Sequence, residues 1–120
     1  MAIIKTSELI GIPLDWAVMY CEEKPFYSNP SSRYYTSPST HWSQGGPIIE
    51  REIYKIWQNL NGTWAAQIKY REPYYSPTYD ADIGKDAYIH RHGETPLIAA
   101  MRCYVASKLG DTIEVPDELV

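Results

Sequence analysis

The chain has 120 residues, 11 of them basic and 15 acidic, for a formal net charge of −4, and 44% of it is apolar. That length fits one domain around a single core, and an acidic balance without a basic cluster argues against the positive face that nucleic-acid binding requires. No apolar run approaches the roughly 20 residues that span a bilayer, and Met1-Ala2-Ile3-Ile4-Lys5 has no basic stretch ahead of a long apolar one, so the expected setting is the cytoplasm, with no membrane partner.

Residues 2–5 read as a short strand and Thr6-Ser7-Glu8-Leu9 as a helical turn. Pro13 suits the first position of a helix, where its missing N–H costs nothing. Leu14, Ala17, Val18 and Cys21 recur at helical spacing, Asp15 sits where the helix dipole favours a negative charge, and Pro25 stops the helix near Glu23. Residues 24–46 carry three prolines, six serines, Tyr27, Tyr34, Tyr35 and Trp42, with no helical period. Loops of this length are functional or disordered, and disordered linkers are poor in aromatics. We therefore read an ordered excursion that brings Tyr, Ser, His and Trp side chains to a surface or pocket.

Pro47 to Glu52 starts a short helix with Pro47 at its first position. Asn61-Gly62 between Ile53–Trp57 and Thr63–Tyr70 is a strong hairpin signal, since both residues tolerate positive φ. One helix from 47 to 60, with Ile49, Ile53, Ile56, Trp57 and Leu60 on one face, is the competing reading. Residues 71–86 form a second Tyr/Pro-rich loop, followed by a short strand from Ala87 to His90. Thr95 as N-cap, Pro96 at the first position and Gly110 just past the end delimit the clearest helix. Thr112-Ile113-Glu114-Val115 alternates as an edge strand. The expected fold is a single α+β domain: a small antiparallel sheet with a hairpin around Asn61-Gly62, packed on two main helices (about 13–23 and 95–109), with long Tyr/Pro/Ser-rich loops.

Cys21 and Cys103 occupy apolar-periodic positions outside any C-x-x-C pair, the habit of small core hydrophobes. His90-Arg91-His92 puts two imidazoles on one face of a strand, but the four spaced ligands of a closed zinc site are not evident. No metal and no cofactor are expected, and no catalytic residue is assigned, because no P-loop, G-x-G-x-x-G or H-E-x-x-H occurs. The unusual numbers are 11 tyrosines and four tryptophans, side chains favoured at part-wet interfaces and ligand pockets. The most informative set of groups lies between Tyr34 and Arg51. Tyr34, Tyr35 and Trp42 supply stackable rings. Ser39, Thr40, His41 and Gln44 supply hydrogen-bonding groups, Gly45 and Gly46 give backbone access, and Arg51 supplies bidentate contact to phosphate or carboxylate. Arg102, expected to be exposed beside the last helix, adds a second cation. This set suits a nucleotide-like small molecule. The opposing reading is an aromatic loop simply packed on the domain, with Arg51 paired to a nearby Glu.

Thr6-Ser7-Glu8-Leu9, Leu14-Asp15-Trp16-Ala17-Val18, Tyr35-Thr36-Ser37-Pro38-Ser39-Thr40, the run from Trp42 to Glu52 and Thr95-Pro96-Leu97-Ile98-Ala99-Ala100-Met101-Arg102 resemble the NinX-like family, small proteins of tailed phages and prophages of enteric bacteria. The resemblance covers both ends and the middle of the chain. It implies origin and setting rather than an activity: a phage accessory protein acting in the cytoplasm of its bacterial host. Three functions fit. The first is a small-ligand-binding module that sequesters a nucleotide-type defence signal of the host. The second is an interaction module with Tyr, Trp and Arg anchors on a host protein, and the third a small hydrolase using His41 or His90. We expect them in that order. The oligomeric state is open, a homo-oligomer included.

Overall fold

In the computed structural model, which describes residues 1–120, the chain runs β1 (Ala2–Lys5), a 3-10 turn (Thr6–Glu8), α1 (Gly11–Glu22), α2 (Trp42–Glu52), β2 (Lys55–Gln58), β3 (Trp64–Ser76), β4 (Ala81–Gly93), α3 (Pro96–Leu109), β5 (Thr112–Val115) and a closing 3-10 turn (Asp117–Leu119). The architecture is α+β. One antiparallel sheet has the order β2-β3-β4, and a second pairs β1 with β5, Ala2 opposite Val115 and Lys5 opposite Thr112.

α3 is the hub, and its limits follow from its caps. Thr95 Oγ1 accepts the Ile98 N–H at 3.1 Å, Pro96 needs no donor at the first turn, and Gly110 leaves the helix at φ 87°. The helix packs on β3 and β4, on α1, on α2 and on the first 3-10 turn. Leu97 to Met101 and Cys103 to Ala106 are accordingly buried. Leu14, Ala17 and Val18 of α1, Ile48 of α2, Ala66 and Ile68 of β3, and Ile113 and Val115 of β5 complete the core around it. Where β4 meets α3 no side chain fits: a Cβ on Gly93 would lie 2.6 Å from Ala99 N and 2.8 Å from Ile98 Cγ2. Gly93→Ala is therefore expected to lower the unfolding free energy by about 2 kcal/mol through overpacking, read as a lower urea midpoint at unchanged slope.

Several expectations are corrected. Residues 71–86 are not a loop but the outer halves of β3 and β4, joined by a turn at residues 77–80. Pro73 is accommodated because of where its nitrogen points. Asn59 N donates to Thr63 O and Tyr54 N to Gln67 O, so odd-numbered residues here turn their backbone groups toward β2 and even-numbered ones toward β4. β2 ends opposite Gln67. Pro73, an odd position, thus aims its missing N–H at an unpaired edge, where a proline costs no ladder bond. The two outer halves form an arm: the radius of gyration is 16.1 Å and the longest extent 59 Å, against a radius of about 14 Å for a domain of this length.

Trp42 to Gly46 belong to α2 rather than to the preceding loop, and Pro47 lies inside the helix rather than at its start. Gly46 spares the helix the clash between a Cβ and the ring of Pro47. Gly45 is buried, and a Cβ there would run into the carbonyl oxygen of Pro38 as well as lie 2.6 Å from Leu97 Cδ2. α1 begins at Gly11, two residues before Pro13. Residues 47–60 are not one helix, which ends at Glu52, and Tyr54 is already bonded to Gln67. The expected hairpin forms, but its loop has three residues, Leu60 to Gly62, closed by Asn59 N to Thr63 O at 2.7 Å. Gly62 alone of the three takes a positive φ, 89°, the arrangement of a turn followed by a glycine bulge.

The outer edge of β4 is blunted by arginines. The pairing that turns odd residues of β4 toward β3 leaves Gly84, His90 and His92 pointing away. Their carbonyls accept from Arg71 Nη2 (2.7 Å), Arg91 Nη1 (2.8 Å) and Arg102 Nη1 (2.9 Å), which keeps another strand from adding there.

Candidate functional site

The segment from Tyr35 to Gln44 is organised by one carboxylate of α1. Asp15 is 3% exposed. Its Oδ1 accepts Ser39 N at 2.9 Å and its Oδ2 accepts Ser37 Oγ at 3.2 Å. The Ser37 hydroxyl also contacts that of Thr40, and His41 Nδ1 lies 3.1 Å from Thr40 Oγ1. Gln44 closes the loop, its Oε1 accepting Ser37 N at 2.7 Å and its Nε2 donating to Tyr35 O at 3.0 Å. Burial pushes the Asp15 carboxyl above its ordinary range, against the pull of the hydrogen bonds from Ser39 and Ser37.

Held this way, the loop stands off α1 and α2 and leaves a cleft of about 400 Å³. Lys24, Arg33, Tyr34 and Tyr35 of the loop line it together with Glu22 of α1 and Gln44 and Arg51 of α2. Arg51 Nη2 lies 2.6 Å from Glu22 Oε2 and its Nε 3.4 Å from Glu52 Oε1. The Tyr104 hydroxyl donates to the same Glu22 oxygen at 2.5 Å. Burial alone would raise Glu22, but the hydrogen bonds from Tyr104 and Arg51 outweigh it and hold the carboxyl below its ordinary range. Arg51 therefore has the acidic partner that the packing interpretation anticipates. The other two cations differ: neither Lys24 nor Arg33 has a carboxylate within 4 Å. The Arg33 guanidinium lies over the Tyr34 ring, 4.8 Å from its centroid, and its Nη2 donates to the Tyr34 hydroxyl at 2.6 Å.

Of the residues singled out in the sequence, Tyr34, Tyr35, Gln44 and Arg51 share this cleft. Ser39, Thr40 and Trp42 line a separate 230 Å³ hollow at the start of α3, beside Thr95 and Leu97. His41 sits edge-on to Tyr35, with ring centroids 6.0 Å apart, and lines neither; nor does Gly46, inside α2. Arg102 is half-buried rather than exposed and lines a third groove, its Nε and Nη1 donating to Leu9 O at 2.6 Å and His92 O at 2.9 Å. Lys24 and Arg33 were not foreseen. The one sequence cue was Arg33 next to Tyr34, which gives no periodic signal.

His90 and His92 share a strand face, their rings 5.6 Å apart and edge-on, and His92 Nδ1 lies 3.2 Å from Asn59 Nδ2. No three His, Cys, Asp or Glu side chains gather as a metal group. Cys21 and Cys103 are free thiols, and burial pushes both up to about 11, where the thiolate is scarce at neutral pH. No helix is long and apolar enough to cross a membrane. A family model described as Bacteriophage P22, NinX, matches residues 5–108. No curated protein matches the chain.

Proposed function

The chain belongs to the bacteriophage P22 NinX family, and from that premise we propose that it is a phage accessory protein that captures a small anionic, ring-bearing ligand in the cleft between the 24–36 loop and α2. The ligand class this fits is a nucleotide-type signal of the bacterial host, bound in the host cytoplasm. The observation that carries the reading is two cations without carboxylate partners, Lys24 and Arg33, set beside the Tyr34 and Tyr35 rings on one cavity. A guanidinium presents parallel N–H groups to a phosphate, and a tyrosine face accepts a stacked base. The volume of about 400 Å³ falls in the range of about 300–1,000 Å³ typical of small-molecule sites. Sequestration asks only for affinity and stoichiometry, both of which such a cleft can provide.

A second reading, an interaction module for a host protein, has its own support. The arm displays Tyr74, Tyr75 and Tyr79, and its base Tyr70 and Tyr88, in exposed positions, and tyrosines of this kind anchor protein interfaces. Calorimetric titration of the full chain with cyclic and ADP-ribose-type nucleotides separates the two. Capture in the cleft gives saturable heat at one ligand per chain, weakening as salt is added. Absence of saturable heat with both nucleotide classes rejects it and leaves the arm as the working surface.

A further inference from the structure

Away from the cleft, the first 3-10 turn, the end of β4 and α3 border an open groove of about 300 Å³ whose lining includes Ser7, Ile10, Arg91, His92, Glu94 and Arg102. A second hollow of about 350 Å³ joins it through Ser7 and Arg91 and adds Lys5 and Asp111. Arg102 is the unusual member. It is half-buried and has no carboxylate within 4 Å. Two of its five N–H groups are held by the carbonyls of Leu9 and His92, and the rest have no acceptor in the protein. Loss of water disfavours its charged form, and the charge of Glu94 only partly offsets this.

Arg91 stands beside it. Its Nη1 donates to His90 O at 2.8 Å, its Nη2 to the exposed Asp111 at 3.0 Å, and its buried Nε has no acceptor. Arg91 and Arg102 are thus anchored on carbonyls two residues apart along one strand edge, about 6.6 Å at the usual rise. Two guanidiniums anchored on those neighbouring carbonyls can flank one tetrahedral oxoanion, each with donors to spare. Against Lys5, Arg91 and Arg102 the groove sets only Glu94 and Asp111, a positive balance on a chain whose net charge is −4.

We infer that this groove is a second ligand site, taking a phosphate group between Arg91 and Arg102 with the Ser7 hydroxyl as a neutral donor. The site is independent of the cleft at Arg33. Thermal melts of the full chain at constant ionic strength, in chloride, inorganic phosphate or glycerol phosphate, test it. Phosphate raises the midpoint saturably and chloride does not. Measured in an Arg33→Gln background, where the cleft lacks the Arg33 guanidinium, Arg91→Gln weakens the response at least tenfold and Ser7→Ala several-fold. Because Arg102 also holds Leu9 and His92, the Arg91 and Ser7 variants carry the test. A tighter response to glycerol phosphate identifies a phosphate monoester as the occupant, and an equal one identifies the free anion. Equal midpoints in chloride and phosphate overturn the site. So does a response that survives Arg91→Gln in that background, or one that Arg33→Gln alone abolishes.

Discussion

Replacing Asp15 with alanine is expected to lower the unfolding free energy by about 3 kcal/mol, whereas asparagine costs less than about 1 kcal/mol. Alanine strands a buried Ser39 N–H and removes the acceptor of the Ser37 hydroxyl. Asparagine keeps an oxygen for Ser39 N and offers an amide N–H to Ser37, without the buried charge. The pH dependence has a definite sign. Burial raises Asp15 above its ordinary value, so folding favours its protonated form. This group's stabilising contribution is fully present below its unfolded pKa and is lost as pH rises through its folded pKa. Glu22 is held low and behaves oppositely, supporting the fold at neutral pH and losing that support on acidification. Asparagine at position 15 therefore compares best with the native chain at neutral pH, and its relative standing falls as Asp15 becomes protonated. Urea titrations at neutral and mildly acidic pH read this directly.

The second large effect is on binding. Lys24→Gln together with Arg33→Gln is expected to weaken the nucleotide complex at least about 100-fold, since two charge-assisted contacts are each worth about 1.5–3 kcal/mol and each 1.4 kcal/mol is about tenfold. The urea midpoint stays where it was, because both side chains are exposed and lack ion pairs. Arg51→Gln contrasts with this. It strips a partner from Glu22, whose carboxylate would retain only the Tyr104 hydroxyl, and lowers stability and binding together. Parallel calorimetry and urea titration of the two variants separate a ligand-binding cation from a structural one.

The difference between these arginines explains how far the sequence could be read. α3 was legible because Thr95, Pro96 and Gly110 act on their own neighbours, and β5 because Ile113 and Val115 alternate with polar residues over a short span. α2 was legible only from Pro47 onward. Gly45, Gly46 and Pro47 imitate a turn, and the close approach of the Pro38 carbonyl that requires Gly45 exists only after folding. The outer halves of β3 and β4 were concealed by Pro73, whose tolerance depends on where β2 stops.

The site followed the same rule. Tyr34, Tyr35, Gln44 and Arg51 were visible as residue types concentrated in one segment. Ser39 and Thr40 were equally visible, but Ser39 N is engaged by Asp15 and the Thr40 hydroxyl meets that of Ser37. Whether a cation is free or paired depends on which carboxylate lies near it in space. No one-dimensional spacing reveals that, and so Lys24 and Arg33 were passed over while Arg102 was placed in the wrong groove.

Native mass spectrometry of the chain purified from infected bacteria tests the cleft most directly. The expected spectrum shows one nucleotide-mass adduct per chain, missing from the Lys24→Gln, Arg33→Gln double variant. A spectrum of bare chain alone, or the same adduct retained in that variant, contradicts capture at the tyrosine-walled cleft.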